Sequence, residues 1–431
     1  MYNFDLSNKQ AILVHTFFAK KTEDIDYSLQ EFLSLAYTNN IRILNTLVST
    51  SKVCYPKYFI GTGKALELKK MVKDSSVSIV LFNCILFPHQ ERNLTFLLQC
   101  KIIDRNQLIL SIFAKHARTY EGKLQVRLAQ LRYLNSRLVH EWSHLERQRG
   151  GIGLRGGSGE MQLENDRRLL RKEIIRILLR LKKIENQREQ SRRHRLKIGI
   201  PTISLVGYTN AGKSTLFNLL TKSNIYTEQK LFSTLDPTCR RVVYGNNSNI
   251  LLIDTVGFIQ DLPKDLIPAF KTTLQETIES TLLLHIVDVT NSRFEQHIDS
   301  VSCILNSINA HNIQTLLVMN KIDQLPQITP RIDRDYNERP IRVWISSKED
   351  VGIYLLMQAL SELLSDKIVS YCLRIPISSN LFQKLCKSQV VQEFGIENSS
   401  FVRIKICVSS VYWQRLLKKN KFLTNYIIES I

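Results

Sequence analysis

The sequence contains no apolar stretch long enough to cross a membrane as a helix. All apolar runs in the 431-residue chain are far shorter than the roughly 20 residues that a bilayer requires. The first residues, Met1-Tyr-Asn-Phe-Asp5, also lack the basic start and apolar middle of a secretory leader. We therefore expect a cytoplasmic protein without stable membrane insertion, with peripheral association with a membrane as the alternative.

Paired cysteines are also lacking. The chain has 8 cysteines, but none form a C-x-x-C pair and no histidine cluster lies near them in the sequence. This distribution argues against a disulfide framework and against a zinc site, and it favours reduced, structural thiols.

Acidic residues are scarce relative to basic ones. The sequence has 59 Lys and Arg against 39 Asp and Glu, a formal net charge of +20. Without a membrane segment, nucleic acid is the leading acidic partner and anionic lipid the second. The length leaves room for two or three domains, each large enough to bury a core.

The clearest motif is a phosphate-binding loop. An apolar, strand-like stretch at Pro201–Val206 leads into the pattern G-x-x-x-x-G-K-S, and the residues after it predict a helix. In this context the backbone N–H groups face phosphates, the lysine reaches the β- and γ-phosphates, and the serine hydroxyl ligates Mg²⁺. The motif residues are Gly207, Tyr208, Thr209, Asn210, Ala211, Gly212, Lys213 and Ser214. The chain is expected to bind a nucleoside triphosphate.

Two segments between residues 231 and 258 are expected to sense the γ-phosphate. Asp254 ends an apolar strand and can hold Mg²⁺ through a water, while the Gly257 N–H can face the γ-phosphate. Upstream, a polar segment offers Thr234 or Thr238 as a hydroxyl ligand for Mg²⁺, and the spacing alone does not choose between them. The expected nucleotide-contacting residues of these segments are Phe232, Ser233, Thr234, Leu235, Asp236, Asp254, Thr255, Val256 and Gly257.

Phe258 occupies a position where many regulatory GTPases carry a glutamine that orients the attacking water. A phenyl ring cannot bind that water, so we expect slow unaided hydrolysis and acceleration by a macromolecular partner. No residue of the chain is assigned as a catalytic base.

A second motif predicts guanine as the base. The apolar stretch Leu316–Met319 ends in the N-K-x-D pattern, whose aspartate can accept from both the ring N–H and the exocyclic amine of guanine. Adenine has no such donor pair and would leave the carboxylate buried and unpaired. The residues expected to hold the base are Asn320, Lys321, Ile322 and Asp323, together with the closing loop Ser346, Ser347 and Lys348.

A basic arm precedes the nucleotide motifs. Residues 121–200 contain 20 Lys and Arg against 9 Asp and Glu, and leucines and isoleucines recur at helical spacing in two stretches. We expect two antiparallel helices joined by Gly150–Gly159, in which six of ten residues are glycine. Bare backbone beside arginines suits contact with RNA phosphates and splayed bases, although an inert flexible loop is the alternative.

The expected fold class is multidomain α/β. We predict an N-terminal α/β domain (1–117), a helical-hairpin arm that contacts RNA (118–197), a P-loop GTPase domain (198–366) and a small C-terminal α/β domain (367–431). The expected strands of the first domain are Ala11–Val14, Ile41–Leu44, Lys57–Ile60 and Val77–Val80, and Phe401–Cys407 is the clearest strand of the last.

Five segments, in this order, resemble the HflX family of GTPases in the Obg–HflX group. They are Gly150–Arg155, Gln162–Arg168, Gly207–Thr215, Phe232–Pro237 and Asp254–Phe258. The order of the segments and the stretches between them resemble the family from near residue 10 to the C-terminus.

The resemblance implies a monomeric, Mg²⁺-dependent GTPase that binds GTP and GDP, associates with the large ribosomal subunit and its rRNA, and splits stalled or idle ribosomes. The N-terminal domain and the glycine-rich loop would point toward the peptidyl-transferase region. The family motif also selects Thr234 over Thr238 as the Mg²⁺-linked threonine, and it carries an apolar residue at the position of Phe258.

The chain departs from the family pattern in three places. Residues 156–166 lack a proline that the family usually has, Met161 stands where threonine is usual, and Ser347 stands where alanine is common. Losing a proline raises the ordering cost of the loop by about 0.4–1 kcal/mol if the bound angles suit proline. We expect weaker ribosome affinity and unaltered nucleotide chemistry.

Two other functions stay open. One is a factor for large-subunit assembly or quiescence that binds without splitting. The other is an ATP-driven RNA remodeller or a regulator of a membrane protease, which Asp323 and the missing membrane segment disfavour.

Overall fold

In the computed structural model, the chain folds as two compact units. The described residues are 9–18, 22–51, 53–141, 158–198, 200–223, 231–232, 234, 237–244, 248–259, 275–365, 368–376, 385, 391–398, 401–409, 413, 417, 423 and 426–430. The N-terminal unit comprises Met1–Lys183, Glu228–Leu235 and Leu262–Phe270; the second unit comprises Ile184–Thr227, Asp236–Asp261 and Lys271–Ile431.

The N-terminal unit is built on a four-stranded parallel sheet with the order β2-β1-β3-β4. Residues 11–15 of one central strand and all of the other are buried because helices supply apolar side chains to both faces, as parallel sheets require. In chain order the elements are β1 (Gln10–Phe18), α1 (Thr22–Thr38), β2 (Arg42–Ser51), α2 (Thr62–Ser75), β3 (Ile79–Phe82), α3 (Pro88–Leu98), β4 (Lys101–Asp104) and α4 (Arg105–His116).

One strand prediction in this unit is wrong, and one strand was not predicted. The stretch Lys57–Ile60 was expected to be a strand but lies in a tight turn, where Tyr55 and Phe59 exchange backbone hydrogen bonds. The sequence pattern does not predict strand β4, because its only apolar residues are Ile102 and Ile103. Its residues are buried beside β3, so tertiary pairing defines this strand more than local pattern does.

The basic segment forms two long helices, α5 (Tyr120–Glu141) and α6 (Ser158–Ile198). They lie side by side where Arg127 pairs with Glu173, with 3.2 Å between Nη2 and Oε1. Burial on α6 follows the helical spacing of its leucines and isoleucines. Ile177 is buried and Leu170, Ile174, Leu181 and Ile184, on the same face, are half-buried, while the leucines and isoleucines between them are exposed. Of the predicted glycine-rich link, residues 150–157 lie outside the described part of the chain.

Arg137 fixes α5 to the N-terminal sheet. Its Nη2 donates to Asp104 Oδ2 at the end of β4 and, at 3.1 Å, to Leu86 O after β3. Its Nη1 pairs with Glu91 of α3, and Tyr133, one turn earlier, donates to Asp104 Oδ1 at 3.2 Å. Helix α5, which is predicted to be part of an RNA-contacting arm, is therefore anchored to the N-terminal sheet by a buried network of charged side chains.

The second unit has a mixed seven-stranded sheet with the order β10-β11-β9-β8-β5-β7-β6. The elements are β5 (Thr202–Gly207), α7 (Lys213–Thr221), β6 (Thr238–Tyr244), β7 (Ser248–Asp254), β8 (Leu282–Asp288), α8 (Phe294–Ser307), β9 (Thr315–Asn320), β10 (Ile332–Arg334), β11 (Pro340–Trp344) and α9 (Ile353–Ser365). Strands β7, β5, β8 and β9 are parallel neighbours, so their carboxyl ends meet at one edge, where ligands bind in open α/β sheets.

The end of the chain adds a four-stranded antiparallel sheet with the order β13-β14-β12-β15. Its strands are β12 (Ile368–Pro376), β13 (Val391–Asn398), β14 (Phe401–Ser409) and β15 (Ile427–Ser430), and β14 contains the predicted strand. Among the described helices of the whole chain, none combines the length and apolar character needed to cross a bilayer.

Candidate nucleotide-binding site

The phosphate loop connects β5 to α7 at the carboxyl edge of the central sheet. Gly212 is the N-cap of α7 and has φ of 94°, a left-handed conformation that favours glycine. A Cβ on Gly212 would also collide with the Asn320 side chain. The loop geometry therefore requires glycine at this position, and it leaves the first N–H groups of α7 available to an anion.

Lys213 lies at the centre of the site. It is 6% exposed, and its Nζ donates to Tyr208 O at 2.7 Å and to Gly207 O at 3.2 Å. Burial lowers the pKa of Lys213 to about 8, and nearby Asp254 opposes this shift. The ammonium is thus held by carbonyl groups of the loop that it would exchange for phosphate oxygens.

Nucleotide affinity should therefore fall as pH rises above neutrality. Phosphate binding needs the charged lysine, and a pKa of about 8 leaves about a quarter of the lysine charged at about pH 8.5, against nine-tenths at about pH 7. We expect the Kd for a fluorescent GTP analogue to rise about fourfold over this range. Lys213→Arg is the control, since arginine stays charged; an equal rise in that variant would contradict the assignment.

Ser214 and Asp254 meet at the start of α7 and the end of β7. Ser214 Oγ donates to Asp254 Oδ2 at 2.7 Å, and Asp254 is 1% exposed. A hydroxyl and a carboxylate are hard oxygen ligands of the type that Mg²⁺ prefers, with phosphate oxygens and waters as the remaining ligands. No group of three or more His, Cys, Asp or Glu suited to a metal occurs among the residues described.

The segment after β7 is joined to the phosphate loop through its backbone. Thr209 N donates to Phe258 O at 2.7 Å, and Phe258 N donates to Gly207 O at 3.1 Å. A Cβ on Gly257 would lie 2.9 Å from the backbone Cα of Thr209, so glycine is required at this close approach to the phosphate loop. The Phe258 side chain is buried, and its ring offers no hydrogen bond to a water. Thr255 and Val256, which lie between Asp254 and Gly257 in the sequence, are buried as well.

Asn320 ties together three loops of the predicted base site. Its Nδ2 donates to Ala211 O of the phosphate loop at 2.8 Å. Its Oδ1 accepts from both the backbone N–H and the hydroxyl of Ser347, at 3.0 and 2.9 Å. The contact between Asn320 and Ala211 joins residues 109 positions apart, so the structure brings the two sequence motifs into one site.

Asp323 and Lys321 are each held by one neighbour. Ser346 Oγ donates to Asp323 Oδ1 at 2.6 Å, which leaves Oδ2 and part of the half-buried carboxylate for a base. Lys321 Nζ pairs with Asp288 Oδ2 at 2.6 Å. Ile322 is buried below the loop, and Lys348 is exposed.

Two residues of this neighbourhood are missing from the sequence-based set. Asp288 ends β8 at the same edge of the sheet, and it fixes Lys321 and accepts from Thr290. His297 of α8 stacks on Tyr208 of the phosphate loop, with ring centroids 4.0 Å apart. The position of Asp288 after a buried strand is a signal that could have identified it, whereas nothing in the sequence pairs His297 with Tyr208.

Phe232, one of the predicted nucleotide contacts, packs in the N-terminal unit. Its ring meets Phe113 of α4 edge-to-face with centroids 4.7 Å apart, and it is 2% exposed with φ of 58°. Thr234 is half-buried, while Ser233, Leu235 and Asp236 lie outside the described residues. The geometry thus gives Phe232 a packing role beside the expected switch threonine.

Comparison with known proteins agrees with these motifs. Residues 26–114 match the family described as GTP-binding GTPase N-terminal, residues 116–195 match GTP-binding GTPase Middle Region, and residues 202–321 match 50S ribosome-binding GTPase. A solved structure, a GTP-binding protein from Sulfolobus solfataricus in complex with GDP, is 24% identical over 83% of this chain and 99% of that chain, with a TM-score of 0.44.

Two relatives that align with most of the chain identify its family. GTPase HflX of Escherichia coli K12 is 50% identical over 98% of this chain and 99% of its own length. GTPase HflX of Magnetococcus marinus is 41% identical over 86% of this chain and 85% of its own length. With its phosphate loop and N-K-x-D loop joined in one site, the chain is a P-loop GTPase that belongs to the HflX family.

Proposed function

We propose that this GTPase associates with the large ribosomal subunit and, in its GTP form, splits stalled or idle ribosomes into subunits. The observation that carries the proposal is a strongly basic pair of helices joined to a GTPase unit, in a chain whose residues 202–321 match a family described as ribosome-binding. Four functional domains with the boundaries 1–117, 118–197, 198–366 and 367–431 are part of this proposal.

We propose that Mg²⁺ is held by Ser214, with Asp254 behind it and Thr234 as the second hydroxyl. The 2.7 Å bond between Ser214 and Asp254 supports this, because it places a carboxylate beside the expected ligand. Mg²⁺ would neutralise charge that develops on the phosphates during hydrolysis. Lys213 and the N–H groups at the start of α7 would bind the phosphate oxygens.

Guanine recognition is assigned to Asp323, supported by Asn320 and the loop Ser346–Lys348. Ser346 orients the carboxylate through one hydrogen bond to Oδ1, so Oδ2 and the second lone pair of Oδ1 remain to accept from the ring N–H and the exocyclic amine of guanine. The Lys321 stem, held by Asp288, would lie along the purine face. A prearranged carboxylate discriminates strongly, since a base without matching donors leaves the charge unpaired.

The arm is the proposed ribosome contact. Its helices carry many exposed cations, including Arg168, Arg171, Lys172 and Arg180, which suit the phosphates of rRNA. Cytoplasmic location and a monomeric state are part of the proposal.

Hydrolysis should depend on the ribosome. Because Phe258 cannot orient a water, we expect slow GTP turnover alone and a rise on the order of 10³-fold with large subunits, as when a partner supplies the missing group. The measurement is phosphate release at saturating GTP with large subunits, with small subunits as the matched control. Equal rates with and without large subunits would contradict partner-dependent hydrolysis.

A further inference from the structure

The loops that follow β2 and β3 expose an unusual set of apolar and aromatic side chains. Tyr55 is 48% exposed and Phe87 is 61% exposed, and their neighbours Val53 and Ile85 are 69% and 55% exposed. All four follow the carboxyl ends of two strands of the N-terminal sheet. We refer to Tyr55, Phe87 and His89 as the aromatic platform.

The platform is rigid because one buried side chain joins its two loops. Gln90, 1% exposed, donates from Nε2 to Tyr55 O and accepts at Oε1 from Phe87 N, both at 3.0 Å. The His89 ring stacks on Phe87 with 5.8 Å between centroids and 13° between planes. Asn93 Nδ2 donates to Lys57 O at 3.0 Å. Little conformational entropy remains to be lost when a partner binds.

The platform also lies beside the end of α5 from which the basic link departs. Arg137, in the last turns of α5, donates to Leu86 O between Ile85 and Phe87. Lys57 and Arg92 are exposed near the platform, while the nearby acid Glu91 is already paired with Arg137. The electrostatic setting therefore favours a polyanion.

We propose that the aromatic platform stacks unpaired bases of RNA. Exposed, rigid aromatic rings next to cations are the arrangement by which proteins bind single-stranded nucleic acid, because every base has a face that can stack. The partner follows from the proposed function, since rRNA presents unpaired bases in its loops. A protein partner would suit the apolar side chains but would gain less from the surrounding positive charge.

The test uses the full chain and two fluorescent RNA probes, a single-stranded oligoadenylate of about 12 nucleotides and a duplex of equal length. Tyr55→Leu with Phe87→Leu removes the ring faces but keeps apolar volume. We expect affinity for the single strand to fall about tenfold or more, with an unchanged dependence on salt concentration, and affinity for the duplex to change less than twofold. Phe96→Leu, at an 88% exposed residue of α3, is the matched control and should bind like the parent chain.

A second measurement does not need a variant. Photocrosslinking of the parent chain to a single strand that contains 4-thiouridine should give adducts at residues 53–57 and 85–89. A variant affinity within twofold of the parent, or an equal loss on duplex and single strand, overturns the proposal, as do crosslinks confined to other segments. Ribosome splitting is measured separately, so its absence together with platform crosslinks would refute the proposed function and leave the stacking site standing.

Discussion

Asp323→Asn is expected to convert the chain from a GTPase to a xanthosine triphosphatase. The amide oxygen can keep the hydrogen bond from Ser346, so the new NH₂ group points to the base. There it meets the 2-carbonyl of xanthine instead of the 2-amino group of guanine. We expect GTP affinity to fall by on the order of 10²- to 10⁴-fold, while xanthosine triphosphate binds the variant better than the parent.

The measurement is competition of each nucleotide against a fluorescent analogue. Asp299→Asn is the matched control, because Asp299 is an exposed aspartate on α8 of the same unit and should leave both affinities unchanged. If the Asp323 variant binds GTP as tightly as the parent chain, the Asp323 carboxylate does not recognise guanine.

Arg137→Ala is expected to destabilise the N-terminal unit strongly. The change leaves Asp104, 1% exposed, without its cation and also removes the bond to Leu86 O. Removing one partner of a buried ion pair costs about 3–5 kcal/mol, because the remaining charge stays buried. Amides of β3 and β4 should then exchange with solvent faster by a factor on the order of 10² to 10⁴.

Arg132→Ala is the matched control, since this arginine is exposed on the same helix and should change exchange little. Adding Asp104→Asn to Arg137→Ala should recover part of the loss. Asparagine is also a good N-cap, so it can keep the bond that Asp104 accepts from Gln107 N at the start of α4. Unchanged exchange in Arg137→Ala would show that the network does not hold the unit together.

Much of the nucleotide site could be predicted from the sequence because its chemistry is local. Glycine at position 212 and lysine at position 213 are required by the loop itself, and the buried strands around them have clear apolar patterns. The contact of Asn320 with Ala211 follows from the topology of a parallel sheet, which brings the ends of β5 and β9 to one edge.

What could not be predicted depends on contacts between distant segments. The Lys57–Ile60 stretch has strand-like residues, but Gln90 and Asn93 of α3 hold it as a turn. Phe232 stands within a nucleotide motif, yet its ring is buried against Phe113. Arg137 looks like one more cation of a basic arm, and only the fold shows it between Asp104 and Glu91.

The proposed function requires that the GTP form of the chain separates ribosomes into subunits. The most direct test is sedimentation of whole ribosomes through a sucrose gradient after incubation with the chain and a non-hydrolysable GTP analogue, beside the same incubation with GDP. We expect the analogue to convert whole ribosomes into subunits, with the chain on the large one, and GDP to leave them whole. Whole ribosomes that stay intact with both nucleotides while the chain co-sediments would contradict the claim and favour an assembly or quiescence factor.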